Sequence, residues 1–134
     1  MVQIMAYNVK VYKDEIEYNG KTYRTYAKMM TFEDDTKEVQ IFVDAGVEEK
    51  IYWAYTSRYS REITEQIGHN YDDDFGIVSR CIQAVKNDFE YYLQFIENKN
   101  EDALLKYEFE DSLMNISSLG ISFDECYGSV NYLT

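Results

Sequence analysis

The side chains able to do chemistry are few, and their spacing does not assemble a mechanism. His69 is the only histidine, so any Ser-His or Cys-His nucleophilic mechanism would have to use it. It sits in the connection Gly68-His69-Asn70-Tyr71, where a surface or capping role is the simpler account. Asp72, Asp73 and Asp74 follow at once. Clustered carboxylates are oxygen ligands for a hard cation such as Mg²⁺ or Ca²⁺. Here, however, the EF-hand pattern is missing, and compensation of a helix N-terminus explains the same three residues. No metal or cofactor is expected.

Cys81 and Cys126 lack CxxC or metal-ligand spacing. Cys81 borders an apolar helical stripe and reads as a small core residue. Cys126 follows Asp124 and Glu125, whose charges raise a thiol pKa rather than activating it. The six glycines form neither GxGxxG nor a Walker loop, which leaves a nucleotide phosphate without a cradle. Glycosidase-type carboxylate pairs have no sequence specificity in a chain with 25 acids. No catalytic residue is assigned, and the chain reads as a binding protein rather than an enzyme.

The elements that would carry these residues divide into a strand half and a helical half. Val9 and Val11 alternate with Lys10 and Tyr12, and Tyr23, Thr25 and Ala27 alternate with Arg24, Tyr26 and Lys28. Between these two runs lies Asn19-Gly20, the favoured pair for a type I′ hairpin because both positions need positive φ. The polar run Glu33-Asp34-Asp35-Thr36-Lys37 makes a second turn before Val39-Gln40-Ile41-Phe42-Val43. An antiparallel meander of three to four strands over residues 1–44 follows.

Helical spacing predicts the rest. Val47, Ile51, Tyr55, Tyr59, Ile63 and Ile67 recur every four positions, predicting one helix, broken near Arg58 and ending at Gly68. Phe75, Val78, Ile82, Val85, Phe89, Tyr92 and Ile96 predict a long helix from about Asp72 to Asn98. A third helix is predicted from about Glu101 to Ser117, with Leu105, Phe109, Leu113 and Ile116 on its inner face. The tail 119–134 is apolar enough to return as a short strand. Strands followed by helices give an α+β fold with helices packed on one face of an antiparallel sheet, as a single domain spanning 1–134.

Charge is the remaining signal. The net charge is −12, from 25 acidic and 13 basic residues. Residues 1–45 hold 8 acids and 6 bases, net −2, whereas residues 46–134 hold 17 acids and 7 bases, net −10. Such a balance argues against direct nucleic-acid binding, which depends on Lys and Arg neutralising phosphates. It also opposes anionic lipid, and no apolar run approaches the roughly 20 residues a membrane helix needs. Unpaired cysteine spacing and the absence of a secretory pattern at the N-terminus suggest a reducing, cytoplasmic setting.

Carboxylates in rows can instead occupy a cationic groove built for a phosphate backbone. On this reading Asp72, Asp73, Asp74, Glu101, Asp102, Glu108, Glu110 and Asp111 supply the charge, and the partner is a basic protein such as a nuclease. Tyr52, Tyr91 and Tyr107 fall off or at the edge of the apolar stripes and suit an interface. The absence of proline and the excess of Tyr, Asn, Ile, Glu and Asp resemble proteins encoded by AT-rich bacterial or phage genomes. As a class, such a chain resembles anti-CRISPR and anti-restriction inhibitors, which act as nucleic-acid mimics, and immunity proteins that neutralise a nuclease toxin. The alternative is a structural or assembly protein working as a homo-oligomer through its long helix.

Overall fold

The computed structural model describes residues 6–44, 46, 50–97, 103–105 and 122–126. In chain order the elements are β1 (Ala6–Tyr18), β2 (Lys21–Phe32), β3 (Lys37–Asp44), β4 (Lys50–Tyr59), α1 (Arg61–Gln66), α2 (Asp74–Asn87), α3 (Phe89–Glu97), β5 (Ala103–Leu105) and β6 (Ser122–Cys126). The fold is α+β: β1 to β4 form an antiparallel meander packed with the three helices. The strand order is β5-β4-β3-β2-β1-β6, with β5 antiparallel to β4 and β6 parallel to β1.

The first hairpin forms where Asn19-Gly20 dictates it. Tyr18 pairs with Lys21 across the turn, and Asn19 and Gly20 adopt φ of 51° and 77°, the left-handed values that a type I′ turn requires. The second turn closes with Phe32 N–H donating to the Thr36 carbonyl at 2.9 Å. Along β2, Tyr23, Thr25, Ala27, Met29 and Thr31 are buried in strict alternation. On β3 the same face carries Lys37, Val39, Ile41 and Val43.

This face receives α2. Ile77, Val78, Cys81, Ile82 and Val85 of α2, with Phe89 of α3, form the main core with Ala27, Met29, Val39, Ile41 and Val43. Val78, Ile82 and Val85 of the α2 stripe thus pack on the chain's own sheet, while Phe75 at its start is 43% exposed. The opposite face buries Val9 and Val11, and carries a second cluster of Phe42 and Ile51 with Tyr26 against it. Trp53 stacks on Phe42 there, with centroids 6.5 Å apart.

Three sequence expectations are corrected. The segment predicted as a helix from Val47 to Gly68 is the strand β4 followed by the six-residue α1. Residues four apart share a face in a strand as well as in a helix, and Ile51-Tyr52-Trp53-Ala54-Tyr55-Thr56 is rich in β-branched and aromatic residues. A bulge opposite Ile41/Phe42 then places Ile51 on the second face and Tyr55 and Tyr59 on the α2 face. Gly68 does end α1, at φ 82°.

The long helix is divided. α2 ends at Asn87 and α3 begins at Phe89, with Asp88 between them at φ −113°, ψ 29°. Asn and Asp compete with the helical backbone for its hydrogen bonds, and the Asp88 carbonyl accepts from Tyr91 and Tyr92 N–H to start the next turn. In the third predicted helix, Ala103–Leu105 instead forms a strand paired with Lys50–Tyr52; the remainder, through Ser117, lies outside the described residues. A short apolar run such as Ala-Leu-Leu fits either state, and the exposed ladder of β4 provides its partner. The tail strand is realised as β6, while 130–133 lies outside the described residues.

Candidate functional site: an acidic pole at one end of the sheet

Two acidic runs distant in sequence meet at the β2–β3 end of the sheet. The first is the turn Glu33-Asp34-Asp35, all three exposed. Its shape is set by Asp34, whose carboxylate accepts from the Thr36 hydroxyl at 2.6 Å and from Thr36 N–H at 3.1 Å. Those bonds hold the Asp34 carboxyl below its ordinary pKa, so it stays charged. Asp35 follows in the left-handed region at φ 63°, which aspartate tolerates better than most residues.

The second run is the α1–α2 connection. Asn70 opens it by accepting Asp72 N–H on its side-chain oxygen at 3.0 Å, the local bond that makes Asn a turn residue. Tyr71, only 2% exposed, ties the two runs together: its hydroxyl donates to the Asp35 carbonyl. Lys37 reaches the same place from the start of β3, donating to the Tyr71 carbonyl at 2.7 Å while its ammonium lies 4.1 Å from the Tyr71 ring centre. Arg61 stacks against the ring as well, at 4.3 Å.

The three consecutive aspartates have three different jobs. Asp72 is exposed and takes a two-pronged contact from Arg61, both nitrogens at 3.2 Å. Asp73 caps α2, accepting Gly76 N–H at 3.0 Å, and a Cβ at Gly76 would collide with that carboxylate. Asp74 turns inward, bonded to Lys10 at 2.7 Å and Lys37 at 2.6 Å. Burial opposes ionisation of Asp74, but the two lysines outweigh it and hold the carboxyl below its ordinary pKa.

Asp73 thus remains as surface charge, Asp72 is exposed but ion-paired with Arg61, and Asp74 is a structural ion-pair partner. Glu101, Asp102, Glu108, Glu110 and Asp111 lie outside the described residues. His69 is half-buried and does not join the aspartates, and no cluster of His, Cys, Asp or Glu suited to a metal occurs among the described residues. Cys81 is buried, with its sulfur 3.0 Å from the Tyr59 hydroxyl. Burial pushes the thiol pKa up, and the Tyr59 bond only partly opposes this. Of the tyrosines singled out for an interface, Tyr91 is exposed, Tyr52 is buried in the core, and Tyr107 lies outside the described residues.

α1 completes the pole. Ser60 caps it by accepting Ile63 N–H at 3.2 Å, and Gly68 and His69 N–H close its C-terminus on the Glu65 and Thr64 carbonyls at 3.0 Å each. Glu65 lies 3.7 Å from Arg61, beside Asp72, and Glu62 is exposed one turn back. The acids from Glu33 to Asp35, with Glu62, Glu65, Asp72 and Asp73, crowd one end of the fold. Among the described residues, Arg61 is engaged there by Asp72, Arg58 by Glu38 at 2.8 Å, and Lys37 and Lys10 by Asp74.

Sequence reasoning missed the contribution of Glu33, Asp34 and Asp35, which read only as a turn in a nearly neutral half of the chain. The residue that brings them to the helical acids is Tyr71, and no spacing rule exposes a contact across 36 positions. Comparison with protein-family models, curated proteins and solved structures finds no match to this chain. The functional reading therefore rests on the geometry of this pole.

Proposed function

We propose that this chain is an acidic binding protein that inhibits a basic, nucleic-acid-handling partner by occupying its phosphate-binding surface. The observation that carries the reading is the Tyr71 to Asp35 bond, which joins two acidic runs into one surface. A groove lined with Lys and Arg attracts closely spaced negative charge whether it sits on phosphates or on carboxylates. Fixed carboxylates have an added advantage over a flexible row, because their geometry is set before binding. Asp34 is locked by Thr36, Asp72 by Arg61 and Asp73 by Gly76.

The reading requires no cofactor and no covalent step. Its partner class is that of nucleases and other effectors met by phages and mobile elements, so an anti-CRISPR or anti-restriction role is the concrete form proposed. The test is inhibition of a panel of CRISPR effectors and restriction endonucleases, with cleavage of labelled duplex as the readout. An inhibited member should lose affinity for the chain steeply with salt, and Asp34→Asn, Asp35→Asn, Asp72→Asn and Asp73→Asn together should weaken it by about tenfold or more. Inhibition indifferent to both salt and these changes would overturn the proposal, as would a panel with no inhibited member.

A further inference from the structure

α1 is a short helix that turns most of itself outward. Of its residues only Thr64 is buried, whereas Ile63 is 60% exposed and the capping Ile67 is 59% exposed. Single exposed apolar residues are ordinary on protein surfaces. Here two large ones are four positions apart, which places them side by side on one flank of the helix.

The helical repeat of about 100° per residue orders the remaining side chains around Thr64. Arg61 and Glu65 occupy the flank facing Asp72, as their ion pairs require. Glu62 and Gln66 form the crest, joined by a 3.5 Å contact. Ile63 and Ile67 occupy the far flank. The apolar pair is thus bordered by the Glu62–Gln66 crest, which separates it from the flank facing Asp72.

We infer that Ile63 and Ile67 are the apolar anchor of the docking surface, and that they seat in an apolar groove edged by Lys or Arg on the basic partner. The inference rests on the function proposed above and adds what that surface recognises beyond charge. Charge complementarity selects this occupant. Glu62 borders the pair on the crest, Glu65 and Asp72 lie across the helix on its other flank, and a second copy of a chain carrying −12 would bring like charge against them. An anionic membrane is opposed by the same charge. Interfaces of this kind place an apolar centre within a polar rim that excludes water.

The probes are two helical peptides of equal positive charge, one with leucine and one with alanine at positions i, i+3, i+4 and i+7 and lysine on the other face, titrated into the full chain. Amide shifts and fluorescence anisotropy are the readouts. The leucine peptide should bind about tenfold more tightly, since burying two isoleucine flanks contributes on the order of one decade. Its shifts should centre on residues 62–67, and Ile63→Gln with Ile67→Gln should remove the preference. Both changes lie on exposed positions, and an unchanged amide spectrum elsewhere verifies that the double variant is folded.

Equal affinity of the two peptides, or a preference that survives the double variant, overturns the inference. If both peptides bind at Asp34, Asp35, Asp72 and Asp73 with equal, salt-sensitive affinity, the acidic-surface reading stands and only the apolar anchor fails. If neither binds at low salt, the acidic-surface reading fails too. Concentration-dependent dimerisation that the double variant abolishes overturns the inference in favour of a second copy.

Discussion

α1 and α2 are neighbours in the chain, yet opposite forces hold them to the sheet. α2 buries Ile77, Val78, Cys81, Ile82 and Val85 against β2, β3 and β4. α1 buries only Thr64 and is fastened by polar contacts: the Ser60 cap, the Arg61 fork on Asp72, and the Gly68-His69 closure. Burial of apolar area is the dominant favourable contribution in folding, so α2 belongs to the stability of the domain. Polar fasteners contribute less but fix geometry, which is what an element on display requires.

The largest expected effect would come from cutting into α2. Ile82 is completely buried, and Ile82→Ala should destabilise the domain by about 2 to 5 kcal/mol through lost transfer energy and a residual cavity. Ile63→Ala, the same change on α1, should cost within about 0.5 kcal/mol because the side chain already faces water. Urea unfolding of the two variants measures both. Similar losses would erase the distinction between the helices.

Asp74 lies where the two regions meet, starting α2 while holding Lys37 and Lys10. Asp74→Asn should cost roughly 3 kcal/mol, because Lys37 is left buried without its carboxylate. The pH dependence follows from the lowered carboxyl pKa. The unfolded chain binds a proton at Asp74 more readily than the native one does. The contribution is therefore full above the unfolded carboxylate value, near pH 4, and is lost as pH falls through the lower native value. Thermal unfolding from pH 7 to pH 2 should show a steeper acid loss in the native sequence than in Asp74→Asn. Parallel curves would exclude Asp74 as a source of the acid sensitivity.

A third test concerns the hairpin far from the pole. Gly20 sits at φ 77°, and Gly20→Ala should cost roughly 1 to 2 kcal/mol, the penalty for an L-residue in the left-handed region. Nothing lies within 4 Å of the added methyl, so a clash would not contribute. A loss near zero, read by urea unfolding, would mean that the turn relaxes to another type.

How much was legible in the sequence follows the same division. β1 to β3 were readable because alternation and Asn-Gly are local signals, and α2 because its stripe from Val78 to Val85 is buried, with Phe75 exposed at its start. β4 was misread because a four-residue spacing satisfies both periods, and the bulge at Ala54 hides the face change. Asp88 interrupts a stripe that remains continuous in sequence across the break. At the candidate site, the charge of Asp72 and Asp73 was legible and the inward turn of Asp74 was not, since its lysine partners lie 64 and 37 positions away. The acids of the β2–β3 turn were visible but unplaced, because long-range contacts, Tyr71 on Asp35 and Lys37 on Asp74, bring them to the helical acids.

A last, small effect bears most directly on whether α1 is a separable element. Ser60 accepts Ile63 N–H at the helix start, and Ser60→Ala should cost about 1 kcal/mol. Where that loss falls is the informative part. If α1 is fastened locally, its amides from Ile63 to Gln66 should exchange faster by about fivefold while those of Ile82 and Val85 keep the global rate, since local openings draw on local free energy. If α1 is instead part of the cooperative core, all of these amides should accelerate together and the urea midpoint should fall by the whole amount. Because α1 contributes only Thr64 to the interior, the local outcome is expected. It would leave Ile63 and Ile67 on an element whose rigidity can be tuned without unfolding the sheet beneath it.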